Sequence, residues 1–316
     1  MRAAALFLGL LASAVAAAQD YPSKPVRLVV GFPPGGNVDV VGRIVAQKMS
    51  EGLTQQVVPE NRTGAGSIIA NEYVAKSAAD GYTLLIVSGA FVTQAATMKK
   101  LPYDSLRDFS FISTIVTYPL VFSVRSDSRF RTLGEFIAFV KSSPGKVNYP
   151  SPGMGTLYHL AGEMFVSMAG IEMQHVPFRG GSEPLTEVLS GRMELLIDAL
   201  TNSYPHIQGG KFRPLAVTSL ARSASLPNVP TVAQSVPGYE ASSFLGIAGP
   251  PRMPGAIVER INREMRRVLA LPEIAQRFAE WGGAPSASSP EEMRRHVAAE
   301  IEKWEKVVEA RKLELQ

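Results

Sequence analysis

Apolar positions along the chain follow two alternating periods. Short runs of β-branched residues and leucine, of which Val26–Val30 is the first, precede stretches in which apolar side chains recur every three or four residues, as in Val38–Leu53. The alternation repeats as far as residue 248 and predicts parallel strands joined by helices. Three helices, predicted over 256–269, 272–281 and 290–310, close the chain. The pattern is typical of an α/β protein.

Composition and charge exclude several classes of protein and site. A chain of 316 residues suits two domains or one large one, and a hydrophobic fraction of 46% is too high for wholesale disorder. The net charge of +4, without a long basic run, argues against nucleic-acid binding. The absence of cysteine excludes disulfides, thiol nucleophiles and thiolate metal sites. The four histidines lack helical i, i+4 spacing, so neither a metal site nor a cofactor is expected.

The first residues are typical of a cleavable export signal. Arg2 supplies a positive charge, Ala3–Ala14 is apolar, and three alanines precede Gln19 as a small-residue cleavage site. The apolar stretch is shorter than the roughly 20 residues that a membrane span needs. We therefore expect residues 1–18 to be a signal peptide, and the mature protein to be soluble and exported. An uncleaved N-terminal helix is the alternative.

Four glycine-containing loops each end a predicted strand and open a predicted helix. They are Phe32–Asn37, Asn61–Gly66, Ser151–Thr156 and Arg179–Ser182. Free N–H groups at a helix N-terminus favour an anion, and ligands of open α/β sheets lie beyond the carboxyl ends of strands. Two such loops facing each other would hold a carboxylate without a charged side chain. For any one loop, a tight turn without function is the alternative reading.

Other candidate groups have structural readings beside the chemical ones. No phosphate-binding P-loop or serine-hydrolase elbow occurs in the sequence, and no catalytic residue is assigned. Asp198 ends a predicted strand, where it is a general base, a partner for a cation, or a cap for the segment at Asn202. His159, with Glu163 four residues later, and His175 are read as structural, and Arg43 as supporting the fold.

Several segments, in order along the mature chain, resemble the Bug/TctC family, the extracytoplasmic solute receptors of tripartite tricarboxylate transporters. The matching segments are Tyr21–Pro25, Phe32–Gly36 with Asp39 and Arg43, Glu60–Gly66, Asp80–Leu85, Leu101–Asp104 with Asp108–Phe109, Asn148–Glu163, His175–Gly180 and Leu226–Thr231. Each is weak alone, whereas their order and number identify the chain as a member of the family.

The resemblance implies a type II periplasmic binding-protein fold, in which two α/β domains are joined by two hinge crossings. The first domain would comprise residues 19–120 and 243–316, and the second residues 121–242. The family holds a carboxylate by backbone amides of two facing loops. The ligand-binding residues implied for this chain are Phe32, Pro34, Gly35, Gly36, Asn37, Ser88, Gly89, Ala90, Ser151, Gly153, Gly155, Thr156, Phe178, Arg179, Gly180 and Asp198.

Three departures from the family's pattern bear on the ligand's identity rather than on the fold. Asn37-Val38 replaces a small hydroxyl residue before Asp39, Pro150 stands where glycine is common, and Phe178 replaces a common tyrosine. The last change removes a hydroxyl donor from the expected distal end of the site.

The function implied is that of a non-enzymatic periplasmic receptor. It would bind a small carboxylate, or an acidic or amido amino acid, as a monomer and deliver it to membrane transporter subunits. An exported hydrolase or isomerase using Asp198 or Ser151 in the same cleft is one alternative. A ligand-dependent partner of a membrane sensor is the other, and the sequence does not separate the two receptor roles.

Overall fold

Two lobes share one eight-stranded sheet in a computed structural model that describes residues 21–178 and 182–314. The strands are β1 (Val26–Val30), β2 (Val57–Asn61), β3 (Thr83–Ser88), β4 (Ser110–Arg125), β5 (Val147–Ser151), β6 (Met173–Pro177), β7 (Leu196–Ala199), β8 (Phe212–Val217), β9 (Ser242–Gly249) and β10 (Ala284–Pro285). The helices are α1 (Asn37–Leu53), α2 (Ile68–Ala75), α3 (Gly89–Thr97), α4 (Leu133–Ser142), α5 (Leu157–Ala169), α6 (Glu183–Leu189), α7 (Leu200–Gln208), α8 (Gly255–Leu269), α9 (Pro272–Ala279) and α10 (Pro290–Ala310).

The first lobe is built around β1. This strand pairs in parallel with β2 on one side and β3 on the other, and four of its five residues are buried. A strand covered by helices on both faces tolerates such a continuous apolar run. Helix α1 packs Val41, Val45 and Met49 against the sheet, because their spacing places them on one helical face.

Strand β4 runs through both lobes. Its residues Ser110–Pro119 pair antiparallel with β9, and its residues Leu120–Arg125 pair antiparallel with β7 and β8. Strand β9 begins at Ser242, opposite Pro119, so the two chain crossings lie side by side. Adjacent crossings of this kind form a hinge about which two lobes can move. The change of partners supports the proposed domain boundaries near 120 and 242.

The hydroxyl of Thr218 ties the two crossings together. Its Oγ1 accepts the Leu120 N–H at 2.7 Å and also bonds to the carbonyl of Ala241. The backbone adds hydrogen bonds from Thr218 N to Leu120 O and from Ala241 N to Thr218 O. Because Thr218 is fully buried, no solvent replaces these bonds if the hydroxyl is removed.

The second lobe carries a separate two-stranded parallel sheet of β5 and β6. Helix α5 follows β5 and buries Leu160 and Phe165, the latter edge-on against Phe122 of β4. The terminal helix α10 starts with a capping box between Ser289 and Glu292 and packs on α3, β4 and α5. It therefore contacts both lobes.

The α/β class, the two-domain architecture and the three terminal helices are confirmed, with helix bounds shifted by at most two residues. Three features differ from expectation. The sheet is mixed rather than parallel, because β4 and β9 cross between lobes in opposite directions. Gly89 and Ala90, predicted as the end of a strand, begin helix α3, and helix α7 was not predicted.

Two predicted regions lie wholly or partly outside the described residues. The signal peptide 1–18 is one, and the loop Arg179–Ser182 is the other, of which the structure describes only Ser182. Within residues 21–178 and 182–314, no helix combines the length and the apolar character that crossing a membrane requires.

Replacing Thr218 by valine keeps its shape and removes the hydroxyl. We expect Thr218→Val to lower the free energy of unfolding by about 1–3 kcal/mol, because buried backbone groups of both crossings lose a partner. Urea titration followed by circular dichroism measures the change. The control is Thr186→Val on an exposed face, with an expected change within about 0.5 kcal/mol. Equal effects of the two substitutions would contradict a structural role for the Thr218 hydroxyl.

Candidate functional site

A cavity of about 720 Å³ is lined by segments of both lobes. The first lobe contributes Phe32, Asn37, Val38, Ala65, Gly66, Ile68, Ser88, Gly89, Ala90, Thr93, Gln94, Thr97, Met98 and Ser243, the second contributes Pro152, Met154, Gly155, Thr156, Leu157, Tyr158, Ala199, Thr201 and Asn202, and Tyr118 lies beside the hinge. Its volume is typical of sites for small molecules. No lysine, arginine or acidic residue occurs among these lining residues.

The N-terminal ends of five helices line the cavity. Helices α1, α2 and α3 come from the first lobe, and α5 and α7 from the second, and residues of the first turn of each lie in the cavity wall. The N–H groups of a helix's first turn have no acceptor within the helix and carry the positive end of its dipole. Together these ends make the cavity favourable for an anion.

The first loop owes its shape to Asp39, the third residue of α1. Its carboxylate accepts the Gly35 N–H at 2.8 Å, the Asn61 side-chain amide at 2.8 Å and Arg43 Nε at 2.9 Å. Gly35 has φ +83°, a conformation that glycine adopts at little cost. The side chain of Asp39 thus fixes the loop, and the first-turn residues Asn37 and Val38 lie in the cavity wall.

Burial opposes ionisation of the Asp39 carboxyl, but hydrogen bonds from Arg43, Gly35 and Asn61 outweigh it and lower its pKa to about 2. The carboxylate is therefore charged throughout the physiological range, next to an anion-binding helix end. Arg43 neutralises this charge locally, and its guanidinium also donates a hydrogen bond to Asn61 Oδ1 at 3.0 Å. The expectation that Arg43 supports the fold agrees with these contacts.

The second loop repeats this construction with a different acceptor. His159, the third residue of α5, accepts the Gly155 N–H on Nδ1 at 3.1 Å. Thr156 caps the helix by accepting the His159 N–H and donates its hydroxyl to Gly153 O at 2.8 Å. As in the first loop, the glycine N–H is bound within the loop and helix, and the first-turn residues Leu157 and Tyr158 lie in the cavity wall.

A serine–histidine contact lies behind the second loop. Ser151 Oγ is 2.6 Å from His175 Nε2 and also bonds to Gly153. Ser151 is fully buried and outside the cavity wall. Burial, with a smaller contribution from His159, lowers the pKa of His175 to about 3. Neither residue lies in the cavity wall and their hydrogen bonds are to each other and to the loop, which argues against Ser151 as a nucleophile.

Asp198 occupies the N-terminal end of α7. Its carboxylate accepts hydrogen bonds from Ala199 N at 2.8 Å, Ser203 Oγ at 3.0 Å and Asn202 Nδ2 at 3.3 Å. Burial raises its pKa to about 6, against the opposing effect of these bonds. The capping alternative therefore describes its contacts, and Asp198 is not part of the cavity wall.

Of the sixteen site residues expected from the sequence, the structure brings seven into the cavity wall: Phe32, Asn37, Ser88, Gly89, Ala90, Gly155 and Thr156. Seven others lie in the same loops or at strand ends but outside the cavity wall: Pro34, Gly35, Gly36, Ser151, Gly153, Phe178 and Asp198. Arg179 and Gly180 lie outside the described residues. The ligand-contact role of all sixteen stays a prediction.

The sequence placed Ser88, Gly89 and Ala90 in the site but did not indicate that a helix begins there, and it did not indicate the start of α7 or the hinge residue Tyr118. The Tyr118 hydroxyl accepts the Asn37 side-chain amide at 3.0 Å and so joins the first loop to the hinge. A serine and an aspartate at strand ends were the available signals for α3 and α7. Within the described residues, no cluster of acidic or histidine side chains has metal-binding geometry.

The family model described as "Tripartite tricarboxylate transporter family receptor", TctC, matches residues 41–313. The chain belongs to the TctC family. Its curated relatives include the "UPF0065 protein in tcbD-tcbE intergenic region" of Pseudomonas sp. strain P51, 38% identical over 91% of this chain and 86% of that protein. "Protein BugT" of Bordetella pertussis is 33% identical over 94% of this chain and 92% of its own length.

Solved structures agree with this TctC assignment. "R. palustris Rpa4515 with adipate" superposes with a TM-score of 0.83 at 35% identity, covering 93% of this chain and 99% of that one. "MatC (Rpa3494) from Rhodopseudomonas palustris with bound malate" gives 0.78 at 27% identity, covering 91% and 100%. The structure of "periplasmic binding protein BugD" gives 0.80 at 30% identity, covering 94% and 100%. The expected family and fold are confirmed.

For this TctC receptor, Asp39 provides a pH test of the first loop. Because the pKa of Asp39 is lower in the folded protein than in the unfolded chain, its stabilisation is present above pH 4 and lost as pH falls towards 2. We expect the free energy of unfolding to fall by about 2 kcal/mol more in wild type than in Asp39→Asn over that range. Denaturant titrations at both pH values measure it. Parallel pH curves would contradict the assigned contacts.

Proposed function

We propose that this protein is a periplasmic receptor that binds a small organic carboxylate through backbone amides of its two loops. It then delivers the carboxylate to a tripartite tricarboxylate-type transporter. One observation carries the proposal: the N-terminal ends of helices from both lobes line one cavity whose described wall contains no cationic side chain. Hydrogen bonds from such amides to a carboxylate are charge-assisted, and they strengthen when water is excluded.

The remaining wall supports an acid with a hydrocarbon portion. Phe32, Ile68, Met98, Met154 and Leu157 surround the cavity with apolar surface. Relatives of the same family were crystallised with adipate and with malate, both small dicarboxylates. A carboxylate held by amides at one end, with a short carbon chain along the apolar wall, fits these features.

The hinge supports capture by closure. The first loop belongs to the lobe of β1, and the second to the lobe of β5, so a ligand that bridges them gains both sets of contacts only when the lobes approach. Such a ligand shifts the population towards the closed form by its difference in affinity for the two forms. No catalytic group is required, and we propose that the protein is not an enzyme.

An acidic or amido amino acid is the second ligand class. An ammonium group would need an acidic partner, and Asp198 is the candidate implied by the family resemblance. Its oxygens already accept bonds from Ala199, Asn202 and Ser203, which favours a ligand without an ammonium group. Family membership and the expected signal peptide support a periplasmic location, a monomer and membrane transporter subunits as partners. A membrane sensor is the alternative partner.

Mass spectrometry of ligand released from the purified protein identifies the natural ligand. Calorimetry then compares adipate, malate, aspartate and glutamate with adipamide, which is a neutral match for adipate in size. We expect at least one acid to bind and the diamide to bind at least tenfold more weakly than adipate, since it lacks the charge-assisted bonds. Equal affinity for adipate and adipamide would contradict the proposal that backbone amides hold a carboxylate.

Two glycines of the second lobe offer a mutational test with a matched control. Gly153, at φ +148°, is in the second loop, and valine there forces the loop out of shape. Gly145, at φ +70° with open space around it, precedes β5 away from the cavity. We expect Gly153→Val to weaken binding of the tightest acid at least tenfold and Gly145→Val to leave it unchanged. Calorimetry showing wild-type affinity for Gly153→Val would place the ligand elsewhere.

A further inference from the structure

The two ligand loops share one construction but differ in its chemistry. In each, the side chain of the third helical residue accepts the N–H of a glycine four positions earlier: Asp39 for Gly35 and His159 for Gly155. A carboxylate accepts such a bond at any pH above its low pKa. An imidazole accepts it only through a ring nitrogen that carries no proton.

The contacts of His159 define which ring nitrogen carries the proton. Since Nδ1 accepts the Gly155 N–H, the proton of the neutral ring must be on Nε2. Nε2 faces Glu163 Oε1 at 4.0 Å, where the negative carboxylate favours that placement. Glu163 itself is fixed by the Tyr149 hydroxyl on Oε1 at 2.7 Å and by Arg311 Nε on Oε2 at 2.7 Å.

The groups around His159 come from every element packed against it. They are Glu163 on α5, His175 on β6 with its ring stacked at 4.0 Å, Tyr149 on β5, Arg311 after α10, and Asp198 on β7, which lies near Tyr158. Of these, Arg311 is a cation and the stacked His175 remains neutral. A second positive charge on the His159 ring would be nearly enclosed, because the residue is 2% exposed.

We propose that His159 is the positioning residue of the second ligand loop, holding Gly155 through its unprotonated Nδ1 with Glu163 and Arg311 behind it, as Asp39 holds the first loop. The inference rests on the proposed carboxylate function. According to this inference, the loop Ser151–Thr156 keeps the shape that binds the ligand only while the His159 ring is neutral with its proton on Nε2. Arg311 directly follows α10, which belongs to the first lobe. A residue of the first lobe therefore supports the ligand loop of the second lobe through Glu163.

The proposal predicts the sign of a pH effect. Burial lowers the pKa of His159 below its usual value, and the nearby Glu163 opposes that shift only partly. The neutral ring is therefore present at neutral pH. As pH falls through the lowered pKa, Nδ1 gains a proton, the Gly155 N–H loses its acceptor, and the affinity for the ligand falls. The hydrogen bond from the Gly35 N–H to Asp39 is unaffected in the same range, because the Asp39 carboxyl stays ionised.

A measurement without ligand tests directly whether His159 Nδ1 accepts the Gly155 N–H. Long-range nitrogen–proton NMR spectra of the histidine rings, assigned by comparison with His159→Asn, are expected to show His159 neutral at pH 7 with its proton on Nε2. Exchange of the Gly155 amide is expected to be slow in wild type and His159→Asn, whose side-chain oxygen accepts the bond, and faster in His159→Leu. A proton on Nδ1, or unchanged Gly155 exchange in His159→Leu, would overturn the proposal.

Binding of adipate, the ligand named for one relative, tests the consequence. We expect His159→Leu to weaken adipate about tenfold at pH 7 and His159→Asn to restore most of that loss, since only the latter keeps an acceptor. As pH falls from 7 through the lowered pKa of His159, affinity should fall more in wild type than in His159→Asn. The difference isolates His159, because titration of adipate and Asp198 is common to both proteins. Equal affinity in wild type and His159→Leu, or equal pH dependence in wild type and His159→Asn, would contradict it.

The two arms separate failure of the inference from failure of the proposed function. If wild type binds none of the carboxylates, the proposed ligand class is wrong. The His159 ring spectra and the Gly155 amide exchange still show whether His159 holds Gly155. If the carboxylates bind and the Gly155 amide exchanges equally fast in wild type and His159→Leu, the proposed function stands and the positioning role of His159 is wrong.

Discussion

The proposed function depends on one interaction, the hydrogen bonds that free backbone amides at helix N-termini donate to a carboxylate. A helix end exposes amides without acceptors, but a flexible glycine loop before it would let them turn to other partners. In both loops a side chain of the first helical turn removes that freedom by binding the preceding glycine's N–H. The first-turn residues that follow lie in the cavity wall, so the helix ends make the site favourable for an anion without a cationic side chain in its described wall.

The hinge turns two such loops into one site. Strand β4 changes partners between Pro119 and Leu120, and β9 returns beside it, so each lobe keeps its own sheet pairing while sharing a strand. The Thr218 hydroxyl binds both crossings at this point. Tyr118, one residue from the crossing, contacts Asn37 at the start of α1. The hinge and the first loop are thus in direct contact.

Sequence pattern predicts the parts of this architecture that depend on local periodicity. The run of apolar residues predicts Val26–Val30, recurring apolar positions predict the terminal helices, and glycines at strand ends predict the loops, in which Gly35 and Gly155 adopt positive φ. Helix α3 escapes prediction because its apolar residues are buried nearly all round, which gives a weak period. The roles of Asp39 and His159 escape it because a side chain's hydrogen-bond partner four residues back depends on loop geometry.

A crystal structure of the protein with its co-purified ligand tests the central claim most directly. The account predicts one ligand carboxylate within about 3 Å of first-turn amides of both α1 and α5, with Gly35 and Gly155 still bound to Asp39 and His159. A ligand whose acid group is held by a side-chain cation, or by the loop of one lobe alone, would contradict it.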